Sequence, residues 1–408
     1  MREESLLPFE SFRPRKPLHL PSLVHCNRLL GEHGLIQFTR GRLPDFQSGF
    51  CLDDNARALI VAVAFLRRGE LDPVATRLGT TMLEFIDQAS RNAPLYHNLM
   101  DVDGNFTDEY ASPESVGRLI WALGITATCA VDESWRTEAW RILRRVAHAT
   151  SALTSLHARA YAMLGLAAIA DPDVASPVPP IVGHEVDEDV ESWARESLYA
   201  MAAATRFEYL RNARSDWCWW ENTLSYDNAR IPEAMLRASA ALREPAFSDV
   251  GLAAMRFLAS ITQPNGKFLP IGAPGWYRYG GRRPIYDQQP LEAAAMVDVF
   301  IAALRVCRDE SYLRDAKISY EWFLGNNVAG TSLVDLDVGL CHDAITPSGL
   351  NANMGAESTL AYLQATLFLL NAAQLVPSRA RRSTRRRAPS VITASIDAET
   401  LPATIIEG

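Results

Sequence analysis

The stretch Trp217-Cys218-Trp219-Trp220-Glu221-Asn222-Thr223-Leu224-Ser225-Tyr226-Asp227-Asn228-Ala229-Arg230 decides the architecture. Three indoles and two carboxylates stand at the mouth of an apolar run of helical spacing, Ile231 to Leu242, whose Pro232 comes early enough to be tolerated. The last four residues, Asp227-Asn228-Ala229-Arg230, occur once before as Asp54-Asn55-Ala56-Arg57, again leading into an alanine-rich run that ends at Leu66. An internal echo with the same chemistry in the same place points to repeats.

Composition bounds what such a chain does. Of 408 residues, 48% are hydrophobic and 22% charged, ordinary values for a globular protein. The net charge of −8, with no basic stripe through the body, argues against a nucleic-acid partner. The N-terminus lacks a cationic start followed by an apolar core, and no apolar run reaches membrane-spanning length. Cys26, Cys51, Cys129, Cys218, Cys307 and Cys341 form no CxxC pair and no metal-ligand spacing. These features predict a cytoplasmic protein with reduced thiols, no membrane span, no metal and no cofactor.

Hydrophobic periodicity predicts helices nearly throughout. Polar helix starts fall at Asp54, Glu114, His157, Asp227, Gln289 and Glu357, and each precedes an Ala/Leu-rich helix that alternates with a more amphipathic one. Ser112-Pro113-Glu114 has the chemistry of a helix opening: a serine cap, proline at the first position and an acid in the first turn. The break from Asp171 to Val190, with four prolines, reads as a loop inside one domain because the same helix pattern resumes after it. Six hairpins is the count of an all-α (α/α)6 toroid, whose inner helices are apolar all round and whose polar first turns face one funnel. An open solenoid is the competing fold, but loops of roughly 25 residues, as over 263–286 and 325–354, suit functional decoration of one face. The expected organisation is an N-terminal extension over 1–19, the toroid over 20–376, and a basic tail over 377–408 with six arginines between Arg379 and Arg387.

Four motifs carry a resemblance. LDDNARAL (52–59), WWENTLSYDNARIPEAML (219–236), DQQPLEAAAMVD (287–298) and CHDAITPSGLNANMGAESTLAYL (341–363) resemble those of an (α/α)6-toroid family of carbohydrate-active proteins. Its members occur alone or behind a retaining, nucleotide-sugar-dependent glycosyltransferase domain, often encoded beside mannoside phosphorylases. More distantly the chain is similar to unsaturated glucuronyl hydrolases and N-acylglucosamine 2-epimerases. The resemblance implies a toroid over roughly residues 20–375, an oligosaccharide substrate of manno or gluco configuration, and a possible glycosyltransferase or phosphorylase partner. The chain itself has no GxGxxG or other phosphate-cradling loop.

Glycosidic cleavage needs one carboxylic acid to protonate the leaving oxygen and a second carboxylate as base or nucleophile. Asp54 and Asp227, in the first and fourth hairpins and so on opposite sides of a six-hairpin ring, are the leading pair for an inverting reaction; Glu114 and Glu357 are further catalytic candidates. Asp53 is placed to share a proton with Asp54, and Glu221 is an alternative acid. Asp287 and Asp343 open or precede helices, while Arg57 and Arg230 lie one turn after the paired aspartates. Trp219, Trp220, Trp276 and Tyr277 are candidates for sugar-stacking walls, and His97, His157, His342 and Gln288 complete the binding set. The leading function is a glycoside hydrolase; the alternatives are a non-catalytic glycan-binding module of a glycosyltransferase system and an epimerase that would use two facing histidines.

Overall fold

The computed structural model describes residues 18–375 apart from 70, 94 and 184–186. The basic tail and all but the last two residues of the N-terminal extension lie outside the described residues. The described residues up to Ala373 form one compact unit.

Six helices make an inner ring: α2 (Leu52–Leu66), α4 (Pro113–Cys129), α6 (Leu156–Ala170), α9 (Arg230–Leu242), α11 (Pro290–Cys307) and α13 (Ala356–Leu375). Between them in the chain run the outer helices α1 (Val24–Leu29), α3 (Pro73–Ser90), α5 (Glu133–Val146), α8 (Glu188–Asn212), α10 (Pro245–Thr262) and α12 (Ser311–Glu321). A single turn, α7 (Pro172–Ala175), lies in the proline-rich loop before α8. The fold is an (α/α)6 toroid. The strands among the described residues are two-residue pieces paired antiparallel within the loops, one of them joining Thr223–Leu224 to Tyr277–Arg278.

Burial separates the two rings as amphipathicity predicts. Every residue of α6 is buried, and α11 is buried from Pro290 through Leu304. In α5, by contrast, Trp135, Ala139, Trp140, Ile142, Leu143 and Val146 face inward and the intervening charges face out. Small residues let the inner helices approach backbone to backbone. Gly124 and Gly165 meet where α4 crosses α6, and a Cβ on Gly165 would run into the Ile120 carbonyl oxygen. Consecutive inner helices α2, α4, α6, α9 and α11 pack against one another. The last helix closes the ring: Gln364 on α13 donates to Asp298 on α11 at 2.7 Å, and Arg57 of α2 binds Glu357 at 2.9 Å. Just past α2, Arg68 donates to Asn371 at 2.9 Å across 303 positions of sequence.

Helix starts follow their caps. Ser112 accepts from Ser115 N–H at 3.1 Å, as its sequence predicts. At α2 the cap is Cys51, whose Sγ takes the Asp54 N–H at 3.4 Å, so Asp53 and Asp54 belong to the first turn rather than capping it. The first helix is short, Val24–Leu29, and residues 18–23 run irregularly into it. The described cysteines are all free, and no helix among the described residues is long and apolar enough to cross a membrane.

The close inner contact yields a test. Gly165→Ala forces a methyl against carbonyl backbone that cannot rotate away, an overpacking defect of about 1–3 kcal/mol. A thermal melt of this variant is expected to show a clearly lowered midpoint.

Candidate active site in the funnel

The two Asp-Asn-Ala-Arg copies share a local device. In each, the Asp and Arg form an ion pair one turn apart: Asp54–Arg57 at 3.0 Å and Asp227–Arg230 at 3.3 Å. In each, the fully buried Asn ties the incoming loop to the helix. Asn55 donates to Cys51 O at 2.9 Å and accepts from Leu35 N–H at 3.0 Å, and Asn228 donates to Ser225 O and accepts from Ser225 N–H, both at 2.9 Å. The copies differ in phase. Asp54 lies inside its helix, whereas Asp227 precedes α9 with φ of 45°, a left-handed conformation uncommon for a non-glycine residue.

At the first copy, Arg57 is shared. One terminal nitrogen binds Asp54 and the other binds Glu357 of α13, whose side chain keeps 44% of its surface exposed. Asp54 is only 5% exposed. Burial pushes its carboxyl up to about 6; Arg57 opposes this, and Glu357 and Asp53 add to it. Asp53, adjacent in sequence to Asp54, has a partner of its own. It turns to a second guanidinium, Arg118 on α4, at 3.2 Å.

Arg118 is the hub of the opposite wall. It lies 3.8 Å from Glu114, donates to the Tyr161 hydroxyl at 2.8 Å, and has its guanidinium carbon 4.1 Å from that ring's centroid. Tyr161 passes the contact on, donating to Asp227 Oδ2 at 2.6 Å. Asp227 therefore meets the first-helix carboxylates through Tyr161 and Arg118, and is itself 1% exposed. Its N–H binds Glu292 of α11 at 2.5 Å. Burial first and the Asp227 charge second push the Glu292 carboxyl up to about 8. Beneath, Arg230 binds Glu233 at 2.7 Å and Asp298 at 2.6 Å in a fully buried cluster that Arg237 and Gln364 complete. Arg230 is thus a core cation and not a substrate ligand, a correction to its place in the binding set.

Aromatic rings line the side between α4 and α9. The Tyr226 hydroxyl donates to Glu114, and its ring stacks on His157 with centroids 4.7 Å apart and planes 8° apart. His157 Nε2 lies 2.9 Å from Tyr226 O. Trp276, at φ of 53°, sets its ring 6.1 Å from that of Tyr226. Tyr277 and Trp276 are half-buried.

Other expectations need correction. Trp219 and Trp220 are 1% and 0% exposed, so they are not walls; Trp220 donates to Thr205 O on α8 at 2.8 Å, and the pair fills the space between motif and outer helix. Glu221 turns its side chain to solvent, and its carbonyl accepts from Trp217 at 2.6 Å. Gln288 is fully buried, donating to Ile285 O and accepting from Trp322, and so braces a loop. Asp287 is half-buried, with φ of 57° in the same loop. His97 is held on Asp108 and stacked on Phe106, and His342 on the Asn351 carbonyl at 2.6 Å. Asp343 accepts from Gly355 N–H at 2.7 Å just before α13, and burial raises its carboxyl.

The funnel thus gathers Asp53, Asp54, Glu114, Glu357, His157 and Asp227 from the predicted set. Sequence reasoning missed Arg118, Tyr161, Tyr226 and Glu292. Glu292 carried the same signal as Glu114 and Glu357, an acid in the first turn of an inner helix; Arg118 and Tyr161 sit one turn further in and read as core.

No family model matches the chain, and no curated protein sequence does. Similarity lies in the structure. A sugar epimerase from a ruminal bacterium superposes with a TM-score of 0.61 at 15% identity, over 86% of this chain and 96% of the epimerase. Cellobiose 2-epimerase from Spirochaeta thermophila gives 0.63 at 12% identity, over 88% and 96%. A cellulase of C. cellulolyticum solved with cellobiose gives 0.50 at 11%, over 84% and 87%. These likenesses bear out the toroid expected from the helix starts. The link to glycosyltransferases rests on the motifs alone.

Glu292 provides a test by pH. Its folded-state value, about 8, lies above the ordinary 4.5, so the folded chain holds this proton more tightly than the unfolded one. That stabilisation is complete below about pH 4.5 and is lost as pH rises through 8. Glu292→Gln removes the titration while keeping an acceptor for the Asp227 N–H. Between pH 6.5 and 8.5 the wild-type melting midpoint is expected to fall more steeply than that of the variant; parallel curves would refute the assignment.

Proposed function

We propose that the chain is a glycoside hydrolase-like enzyme acting on an oligosaccharide, with Asp54 as general acid and Glu357 as the carboxylate that activates water. The observation that carries this reading is the guanidinium of Arg57 shared between the two. Both carboxyl groups bind one planar cation, which keeps them inside the roughly 9.5 Å that inverting glycosidases use at most. Their environments then push them apart in role. Asp54, buried and raised to about 6, is suited to carry a proton, and Glu357 is open to solvent on its free side.

In the step proposed, the Asp54 carboxyl gives its proton to the glycosidic oxygen as the bond from that oxygen to the anomeric carbon breaks. Glu357 takes a proton from a water whose oxygen bonds to that carbon from the opposite face. Asp53 and Glu114, fixed by Arg118, present acceptors for sugar hydroxyls, and the Tyr226–Trp276 wall offers a face to the apolar side of the ring. This assignment moves the acid–base pair from Asp54 and Asp227 to Asp54 and Glu357, because Asp227 is enclosed by Tyr161, Arg230 and the Glu292 contact.

Epimerisation is the second reading, favoured by His157 at an inner-helix start beside the same wall. Among the described residues, His97 and His342 are each held through Nδ1, on the Asp108 and Asn351 carbonyls, so a second histidine would have to act through Nε2.

Product analysis against manno- and gluco-oligosaccharides decides between them. Hydrolysis releases a shorter sugar with a new reducing end; epimerisation changes the reducing sugar and leaves chain length alone. Asp54→Asn and Glu357→Gln are each expected to lower kcat by about 10²–10⁴-fold while the chain stays folded. For the wild type, kcat/KM should decline as pH rises through about 6, where Asp54 loses its proton. Full activity in Asp54→Asn would sink the proposal.

A further inference from the structure

Two groups of rings meet where the strand Tyr277–Arg278 begins. One passes from His157, which is buried, to Tyr226 at 4.7 Å and on to Trp276 at 6.1 Å. In the other, Tyr277 has its ring edge-on to Trp217 at 5.3 Å, and Trp217 in turn meets Tyr279 at 5.5 Å. His157 and Trp217 are buried, Tyr226, Trp276 and Tyr277 are half-buried, and Tyr279 is 42% exposed.

These rings are built into a rigid ribbon. Thr223–Leu224 pairs antiparallel with Tyr277–Arg278, and Tyr279 N–H donates to Asn222 O at 2.8 Å. Trp217, 3% exposed, is pinned by its own indole N–H and supports Tyr277 and Tyr279 from beneath. Arg214 lies 4.6 Å from the Tyr279 ring centroid, and the Tyr279 hydroxyl donates to Asp216 at 2.7 Å. Trp276 adopts a left-handed backbone that disfavours a bulky residue, so its half-exposed ring is held where it is at a cost.

We infer that the ribbon is an extended glycan subsite, so that the ligand is a chain of several sugar units leaving the funnel over Trp276 and then Tyr279. Rigid rings carrying polar edges suit a ligand with apolar ring faces and hydroxylated rims, and a series of them fits successive units of one chain. This inference rests on the carbohydrate reading above and specifies its substrate as an oligomer bound at several positions.

The test measures binding separately from turnover. Titration calorimetry of the full chain carrying Asp54→Asn, with manno- and gluco-oligosaccharides of one to six units, should show affinity rising with chain length. Trp276→Ala is expected to weaken binding of the longest ligand about 10-fold, the worth of one aromatic stack. Trp276→Phe should recover most of it. Tyr279→Ala should affect long ligands and leave a disaccharide unchanged, which a folding defect would not do. If affinity does not depend on length, or both alanine variants bind as their parent does, the ribbon inference is overturned even where hydrolysis is observed. If binding is length- and Trp276-dependent but the wild type releases no product, the ribbon stands and the hydrolase reading falls.

Discussion

A buried guanidinium must be neutralised where it lies, and Arg57 is neutralised by carboxylates from two helices at opposite ends of the chain. That constraint joins closure of the ring to assembly of the site. The Asp54 bond keeps the cation on its own helix, and the Glu357 bond draws α13 against α2. The same contacts hold one acid dry and leave the other open to solvent. Arg118 repeats the device on the next helix with Asp53, Glu114 and Tyr161. The funnel floor is therefore a belt of cations alternating with acids, each fixed by the other.

The duplicated Asp-Asn-Ala-Arg motif shows how one local solution serves two ends. In both copies the Asn secures the incoming loop and the Arg returns to its Asp. A shift in helical phase changes what the Arg reaches next. At Arg57 it is a carboxylate open to solvent; at Arg230 it is Glu233 and Asp298, wholly buried. The first copy faces the candidate site and the second is part of the buried core. Breaking one member of such a buried cluster strands the rest, so the second copy contributes to stability.

Much of this was legible in the sequence. Repetition of the polar helix starts revealed the toroid, because an inner helix must be apolar on every side while its first turn meets solvent in the funnel. Ser112 read correctly as a cap since capping is local. The tryptophans read wrongly for the opposite reason: whether Trp219 and Trp220 face a funnel or pack on α8 depends on a helix that local pattern cannot position. Arg118 and Tyr161 escaped notice because a single polar atom at the end of a largely apolar side chain looks like core until its partner on another helix is known. Glu292 is an acid in the first turn of its helix, which helix-opening chemistry alone accounts for, so sequence does not distinguish it from a cap.

The contact between Arg68 and Asn371 spans almost the whole described chain. Synthesis proceeds from the N-terminus, so α2 emerges long before any of α13 exists, and its alanine-rich surface on that side has nothing to pack on. Five hairpins can stack in order on their predecessors as they appear, each closing only short loops. The ring is then an open horseshoe with two bare inner faces, and Arg57 within it still lacks one of its two acids. Arrival of the last helix covers both faces at once. In this architecture the last inner helix is the keystone, and a chain cut short within it leaves an incomplete arch rather than a slightly smaller protein.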